Sequence, residues 1–216
     1  MKNATLFKHA IKTASILMSF AIIGTALLAY TFDKTKAPIA KSEADARLAL
    51  FKQILPASAF DNALLENTVT IPANPLLGNT MPTVANIATQ QSQPAGVILE
   101  AIAHDGYSGD IKLLIAIKAN GDISGVRVLT HKETPGLGDY IDITRSQWIT
   151  QFDDKSLSNT EKTQWRVKKD DGAFDFMAGA TITPRAVVKA VHKALEYFEA
   201  NQAFLFASTS KKVAIE

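Results

Sequence analysis

The sequence predicts an α+β protein, in which a single N-terminal transmembrane helix precedes a domain with an antiparallel sheet and flanking helices. Three observations carry that reading. Residues 13–32 (TASILMSFAIIGTALLAYTF) contain no charge. Ile111, Leu113, Ile115 and Ile117 alternate along one run, and Asn120-Gly121 separates it from a second, ISGVRVLT at 123–130. Val187, Val188, Val191, Ala194, Leu195 and Phe198 recur at helical spacing near the C-terminus.

At about 1.5 Å rise per residue, residues 13–32 span roughly 30 Å, the thickness of a bilayer's hydrocarbon core. A cleaved signal peptide has a shorter apolar region, roughly 7–15 residues, and a small-x-small exit. Here the run is longer, and Leu28-Ala29-Tyr30 is a poor exit. A soluble core helix would keep one polar face. An uncleaved anchor is therefore expected. Lys2, Lys8 and Lys12 precede the run, and residues 1–32 contain no acid. Positive charge on that side favours a cytoplasmic segment at 1–12, the anchor at 13–32, and the rest of the chain outside.

The chain has 216 residues with 23 Lys+Arg against 21 Asp+Glu, a net charge of +2. Beyond residue 32 the balance is 20 basic against 21 acidic residues, so the excess is an orientation feature of the N-terminus. Such an even balance argues against a nucleic-acid partner bound by charge. Cysteine is absent. That excludes disulfides, cysteine-ligated iron–sulfur clusters, thiolate zinc sites and thiol nucleophiles. The four histidines are scattered, with no pair at ligand spacing, so no metal site is expected.

Residues 33–95 read as a juxtamembrane helix and a proline-rich connecting region. Residues 34–41 form a polar connector around Pro38, and Ser42 is placed to cap a helix with Asp45 near its positive end. Leu48, Phe51, Ile54 and Leu55 fall at helical spacing until Pro56 stops the run, as expected of a helix packing on its own domain. Pro72, Pro75, Pro82 and Pro94 punctuate residues 67–95, where irregular or edge structure is expected, with a short strand at 69–71.

Residues 96–206 form the main domain, and 207–216 a C-terminal tail. Val97, Ile98 and Leu99 lead to an expected turn at His104-Asp105-Gly106. Asn120-Gly121 is a strong two-residue hairpin signal, and that hairpin is expected at the core of the sheet. Residues 143–152 are expected to be helical, burying Trp148. Residues 153–172 are charged and turn-rich, with Trp165 and Val167 as strand candidates. Thr183 suits a helix cap and Pro184 a first helical position.

Two loops carry chemistry. In residues 175–184 (DFMAGATITP), Ala178, Gly179 and Ala180 allow close backbone approach by a ligand. Thr181 lies just before a helix start, where unpaired amides and the helix dipole favour an anion, above all a phosphate. In residues 133–138 (ETPGLG), two glycines flank a leucine after a rigid Thr-Pro, a pattern for positive-φ backbone against a flat or crowded group. Each loop taken alone also reads as ordinary structure, a capped helix and a tight turn.

Both loops in this order resemble the FMN-binding subunits of membrane electron-transport complexes. The resemblance is carried by GYSGDI at 106–111, GVRVLTHKETPGLGD at 125–139 and AGATITPRAVVKAV at 178–191. Within that family the pattern is most similar to the G subunit of the ion-translocating Rnf (Rsx) complex. The C subunit of the sodium-translocating NADH:quinone reductase is a more distant likeness.

The resemblance implies FMN held covalently, by a phosphoester to the threonine of an Asp-x-x-Ser/Thr-Gly-Ala-Thr motif. Asp175, Gly179, Ala180 and Thr181 match, which makes Thr181 the implied attachment residue. Ala178 departs from the motif, where the family usually has a hydroxyl. Glu133, Thr134, Gly136, Leu137 and Gly138 are implied to line the flavin, with Leu137 against a ring face and the amides near Thr183 toward the phosphate. Tyr107 and Trp148 are candidate aromatic neighbours. No residue of the chain is implied to be catalytic.

Also implied are a single-pass protein of the bacterial inner membrane with a periplasmic main domain, and a role relaying electrons in a complex that couples electron transfer to ion translocation. The implied partners are the other subunits, a flavin transferase and membrane lipid, with no nucleic acid. Two other readings stand beside it. One is the C subunit of the quinone reductase. The other is a cofactor-free, membrane-anchored binding or structural module.

Overall fold

The computed structural model describes residues 2–213, with side chains from 7 to 207. The chain divides into two units between Arg47 and Leu48. Helix α1, Lys2–Ile54, supplies the described residues of the first unit, and its residues 48–54 belong to the second. In the first unit Ile16, Leu17, Phe20, Ile23, Leu27 and Leu28 are all exposed. This stretch is long and apolar enough to cross a membrane.

The expected connector at 34–41 and the fresh helix start at Ser42 are not found, because α1 runs through Pro38. A proline inside a helix costs about 3 kcal/mol by removing one N–H bond and crowding the preceding turn. Here the neighbours are good helix formers, Lys34, Lys36, Ala37, Ala40 and Lys41. The Thr35 hydroxyl bonds back to the Thr31 carbonyl at 2.8 Å in the turn before the proline.

The second unit is a five-stranded antiparallel meander in the order β1-β2-β3-β4-β5. The strands are β1 Thr68–Ile71, β2 Thr83–Gln90, β3 Gln93–Gly106, β4 Gly109–Lys118 and β5 Ile123–Thr130. Gly121 turns the β4–β5 hairpin at φ +92°, as the Asn-Gly pair predicts. The centre of the sheet is β3, however, and β5 lies at an edge. The expected turn at 104–106 is also displaced. β3 continues to Gly106 and the chain reverses at Tyr107-Ser108. Strand β2 replaces the irregular structure expected before Pro94. It is polar in composition, but its Asn86 is buried and its amide donates to the Leu64 carbonyl at 2.8 Å.

Each face of the sheet has its own core. On one face Phe51, Ile54 and Leu55 from the end of α1 pack with Leu64, Ala88, Ile98, Leu114 and Ala116. Helix α2, Ile182–Val213, covers the other face, chiefly across β3. Its predicted stripe is buried throughout, from Val187 to Phe198. Burying a side chain of that size contributes about 1.5–3 kcal/mol. Helix α2 passes into the segment expected as a tail from 207, while residues 214–216 lie outside the described residues.

The helix expected at 143–152 is reduced to a 3-10 turn at Trp148–Phe152. Its first half is held by competing side-chain bonds. Asp142 Oδ1 accepts the Thr144 N–H at 2.8 Å, and the Ser146 hydroxyl donates to the Tyr140 carbonyl at 2.7 Å. Such local bonds offer the backbone an alternative to the helical ladder. Val167 makes an isolated bridge to Phe174, and Trp165 serves as a core ring tilted against Phe174, with ring centroids 5.3 Å apart. The outer edge of β5 is partly closed by this region. The Ile123 N–H donates to the Lys155 carbonyl and the Asp154 N–H to the Ile123 carbonyl, both at 2.8 Å. Arg127 Nη1 donates to the Val126 carbonyl at 2.7 Å, and its other nitrogens hold the Gln53 carbonyl and side chain at the end of α1.

Candidate functional site

Three segments distant in sequence converge at one end of the sheet: the β3–β4 turn, the loop after β5, and the start of α2. Between them lies a cleft of about 310 Å³, lined by Tyr107, Glu133, Thr134, Leu137, Gly138, Gly179, Ala180, Thr181, Ile182 and Thr183. The volume is at the lower end of ordinary small-molecule sites. Tyr107, Leu137 and Ile182 are large apolar groups left exposed on its walls.

Helix α2 starts one residue after Thr181, earlier than the Thr183 cap expected from sequence. Its first amides, at Ile182 and Thr183, lack carbonyl partners one turn back, as every helix start does. Pro184 sits within that first turn, where its missing N–H costs nothing. The two threonines that bracket Ile182 differ sharply. Thr183 is 1% exposed, and its hydroxyl donates to Glu133 Oε2 at 2.5 Å. Thr181 is 9% exposed on the cleft wall, and no hydrogen bond to its hydroxyl is found among the described residues. Among the described residues no side-chain base bonds to that hydroxyl, so none of them activates it as a nucleophile.

Glu133 links the three segments. Its Oε1 accepts the Ser108 N–H of the β3–β4 turn at 3.0 Å, while Oε2 accepts the Thr183 hydroxyl. The glycine pattern of the sequence has its cause here. A Cβ on Gly138 would lie 2.8 Å from both Glu133 Oε2 and Thr183 Oγ1, and one on Gly106 would lie 2.3 Å from the Gly109 carbonyl oxygen. Gly136 adopts φ +77°. Its N–H donates to the buried Asp139 carboxylate at 2.8 Å, which fixes the loop behind Leu137.

The loop at 175–181 is braced from beneath by residues outside the two motifs. Trp148 is not a cleft wall. It packs edge-on to Tyr140, and its indole N–H donates to the Asp175 carbonyl at 2.7 Å. The Tyr140 hydroxyl accepts the Met177 N–H at 3.2 Å, and burial pushes its phenol above the ordinary value. Gln151 Oε1 accepts the Asp175 N–H at 2.8 Å. Tyr140 and Gln151 carried no motif signal; only their roles in the folded loop reveal them. The Asp175 side chain points outward, to Lys168 at 2.5 Å, and Ala178 is exposed. Asp175, Ala178 and Gly136 therefore flank the cleft without lining it.

Residues 106–196 match the FMN-binding domain family, and residues 1–54 match the RnfG N-terminal region. The G subunit of the ion-translocating oxidoreductase complex of Pseudomonas aeruginosa is 46% identical over 205 residues, covering 95% of this chain and 96% of that protein. Its Shewanella baltica counterpart is 44% identical over 197 residues, 91% of this chain and 93% of that one. Among solved structures, Shewanella oneidensis NqrC aligns with a TM-score of 0.46 and 22% identity, over 70% of this chain and 73% of its own. The identity with the Pseudomonas protein spans the anchor, the sheet and the cleft, and it places the chain: it belongs to the family of G subunits of ion-translocating oxidoreductase complexes and carries that family's FMN-binding domain.

Proposed function

We propose that this chain is the membrane-anchored flavoprotein subunit of an ion-translocating electron-transport complex, and that its FMN is esterified through the ribityl phosphate to Thr181. The observation that carries the attachment is the contrast at the start of α2. One threonine hydroxyl is committed to Glu133, and the other is unpartnered on the wall of a cleft. FMN fits the residues present. The Ile182 and Thr183 amides and the dipole of α2 suit a phosphodiester, while Tyr107, Leu137 and Ile182 offer apolar surface to a flat ring system.

When bound, the flavin supplies the electron-carrying chemistry. The chain's own part is to bind and orient. Leu137 and Tyr107 exclude water from one side, Thr181 fixes the phosphate end, and the Trp148 and Tyr140 bonds hold the attachment loop in register with α2. Because no described residue places a base on the Thr181 hydroxyl, attachment falls to a flavin transferase acting on the exposed stretch at Asp175, Met177, Ala178 and Gly179. With Lys2, Lys8 and Lys12 on the cytoplasmic side, the apolar run of α1 lies in the lipid of the inner membrane and the sheet domain in the periplasm. The other subunits of the complex are its electron donors and acceptors.

The test is direct. The full chain co-expressed with a flavin transferase should keep ultraviolet fluorescence on a denaturing gel and show the added mass of FMN. Thr181→Val should lose both, since it removes the acceptor oxygen and keeps the branched shape. Flavin retained covalently by that variant would refute the assignment.

A further inference from the structure

Glu133 is 4% exposed and borders the same cleft as Thr181, yet holding three segments together does not require its charge. A glutamine in the same rotamer satisfies every partner. Its carbonyl oxygen accepts the Ser108 N–H, and its amide donates to the Thr183 hydroxyl, which then acts as acceptor. Burying a carboxylate costs several kcal/mol before its partners repay it. The chain nevertheless places an ion here and clears space for it, since a Cβ on Gly138 would crowd Oε2 at 2.8 Å and one on Gly106 would crowd Oε1 at 3.0 Å. The two hydrogen bonds and the positive end of α2 stabilise the charge in place.

A fixed negative charge beside a shielded cleft raises the energy of any further negative charge brought into it. Electrons taken up by a flavin are such a charge, and a charged group near the ring is one of the means by which a protein tunes it. We propose that Glu133 is a positioning residue of the flavin site whose carboxylate also holds the flavin's midpoint potential down. This rests on the reading that FMN is attached at Thr181. The effect is electrostatic and separable from the mechanical role, because the neutral isostere keeps the hydrogen bonds.

The experiment uses the full chain in detergent, loaded by co-expressed flavin transferase. Mass spectrometry reports attachment, and a spectroelectrochemical titration reports the midpoint potential. Glu133→Gln should carry FMN and titrate at a more positive potential than the parent protein. Thr183→Val keeps the charge and removes one of its donors. It should melt at a lower temperature, with a potential at or below the parent's. A loaded Glu133→Gln protein with the parent's potential overturns the inference. So does a Thr183→Val protein whose potential rises as far, because loosening of the cleft would then account for both. Should Glu133→Gln fail to load, Glu133→Met serves as the uncharged variant: a potential above the parent's supports the inference, and one at the parent's overturns it. A parent protein without the added FMN mass refutes the attachment reading itself, and the inference with it.

Discussion

The two ends of the sheet are built from the same kind of tight turn, yet they use their polar groups differently. At the far end, the β4–β5 turn closes on itself. Asn120 and Asp122 exchange two hydrogen bonds across a single residue, and Lys118 pairs with Asp154 at 2.6 Å, all of it exposed. At the cleft end, the β3–β4 turn gives its Ser108 N–H to a buried carboxylate 25 residues away, and the same carboxylate accepts a hydroxyl 50 residues further on. Local, solvated bonds suffice to reverse a chain. A buried polar junction of distant segments, beside a cavity and next to a hydroxyl without a hydrogen bond among the described residues, goes beyond what chain reversal needs and sets the cleft end apart.

Substitutions matched across the two ends test that contrast. The largest effect is expected at Gly138. Gly138→Ala forces a methyl to within 2.8 Å of Glu133 and Thr183, and overpacking of this kind costs about 1–3 kcal/mol. Because the displaced atoms form the cleft, covalent flavin should fall with the melting temperature, measured together on one preparation. Full loading at unchanged stability would mean that the junction is not tight. Gly121→Ala at the far end is the control. Its Cβ meets nothing within 4 Å, so only the φ of +92° opposes it, at about 1–2 kcal/mol. Thermal melting should shift down while flavin loading stays at the parent level. Reduced loading would erase the distinction between the ends.

The smallest expected effect concerns His104, near the cleft end of β3. Its Nδ1 lies 2.9 Å from Asp110 Oδ1 and its Nε2 lies 2.7 Å from the Gly78 carbonyl, so only the doubly protonated ring satisfies both. The bond to Asp110 and then that to Gly78 raise its pKa above the ordinary 6.5, against a smaller opposing effect of burial. A pKa raised on folding stabilises most below the unfolded value. That contribution is lost as pH rises from about 6.5 through the folded value. The site is largely exposed, so the change should be slight. Melting temperatures of the parent and His104→Gln should differ at pH 6 and converge by pH 9. A constant gap would show that the ring's charge is immaterial.

Much of this was legible in the residue pattern because it follows from local rules. The uncharged run, the Asn-Gly hairpin and the apolar stripe of α2 each declare their element without reference to the rest of the chain. What stayed hidden was long-range. Strand β2 reads as polar because Asn86 counts as a surface residue until the Leu64 carbonyl accepts its amide. Pro38 reads as a helix end because one residue's propensity is visible and the cooperativity of its flanks is not. At the site, the small-residue loop and the helix start point to Thr181 as the place for a phosphate. Glu133 and Thr183 could be gathered near the cleft from the motif. That they bond to each other, leaving Thr181 alone, depends on bringing residues 50 positions apart together.

The partly closed margin of β5 bears on how neighbours approach this domain. With the Ile123 N–H and carbonyl given to residues 154 and 155, and the Val126 carbonyl taken by Arg127, part of that rim offers no free main-chain groups to an incoming strand. The opposite rim, β1, is only four residues long and is followed at once by Pro72. Short or occupied rims of this kind discourage sheets from fusing side by side. A domain that must sit among other polypeptides in a crowded assembly is thereby biased toward recognition through side chains and loops rather than through the indiscriminate stickiness of open backbone.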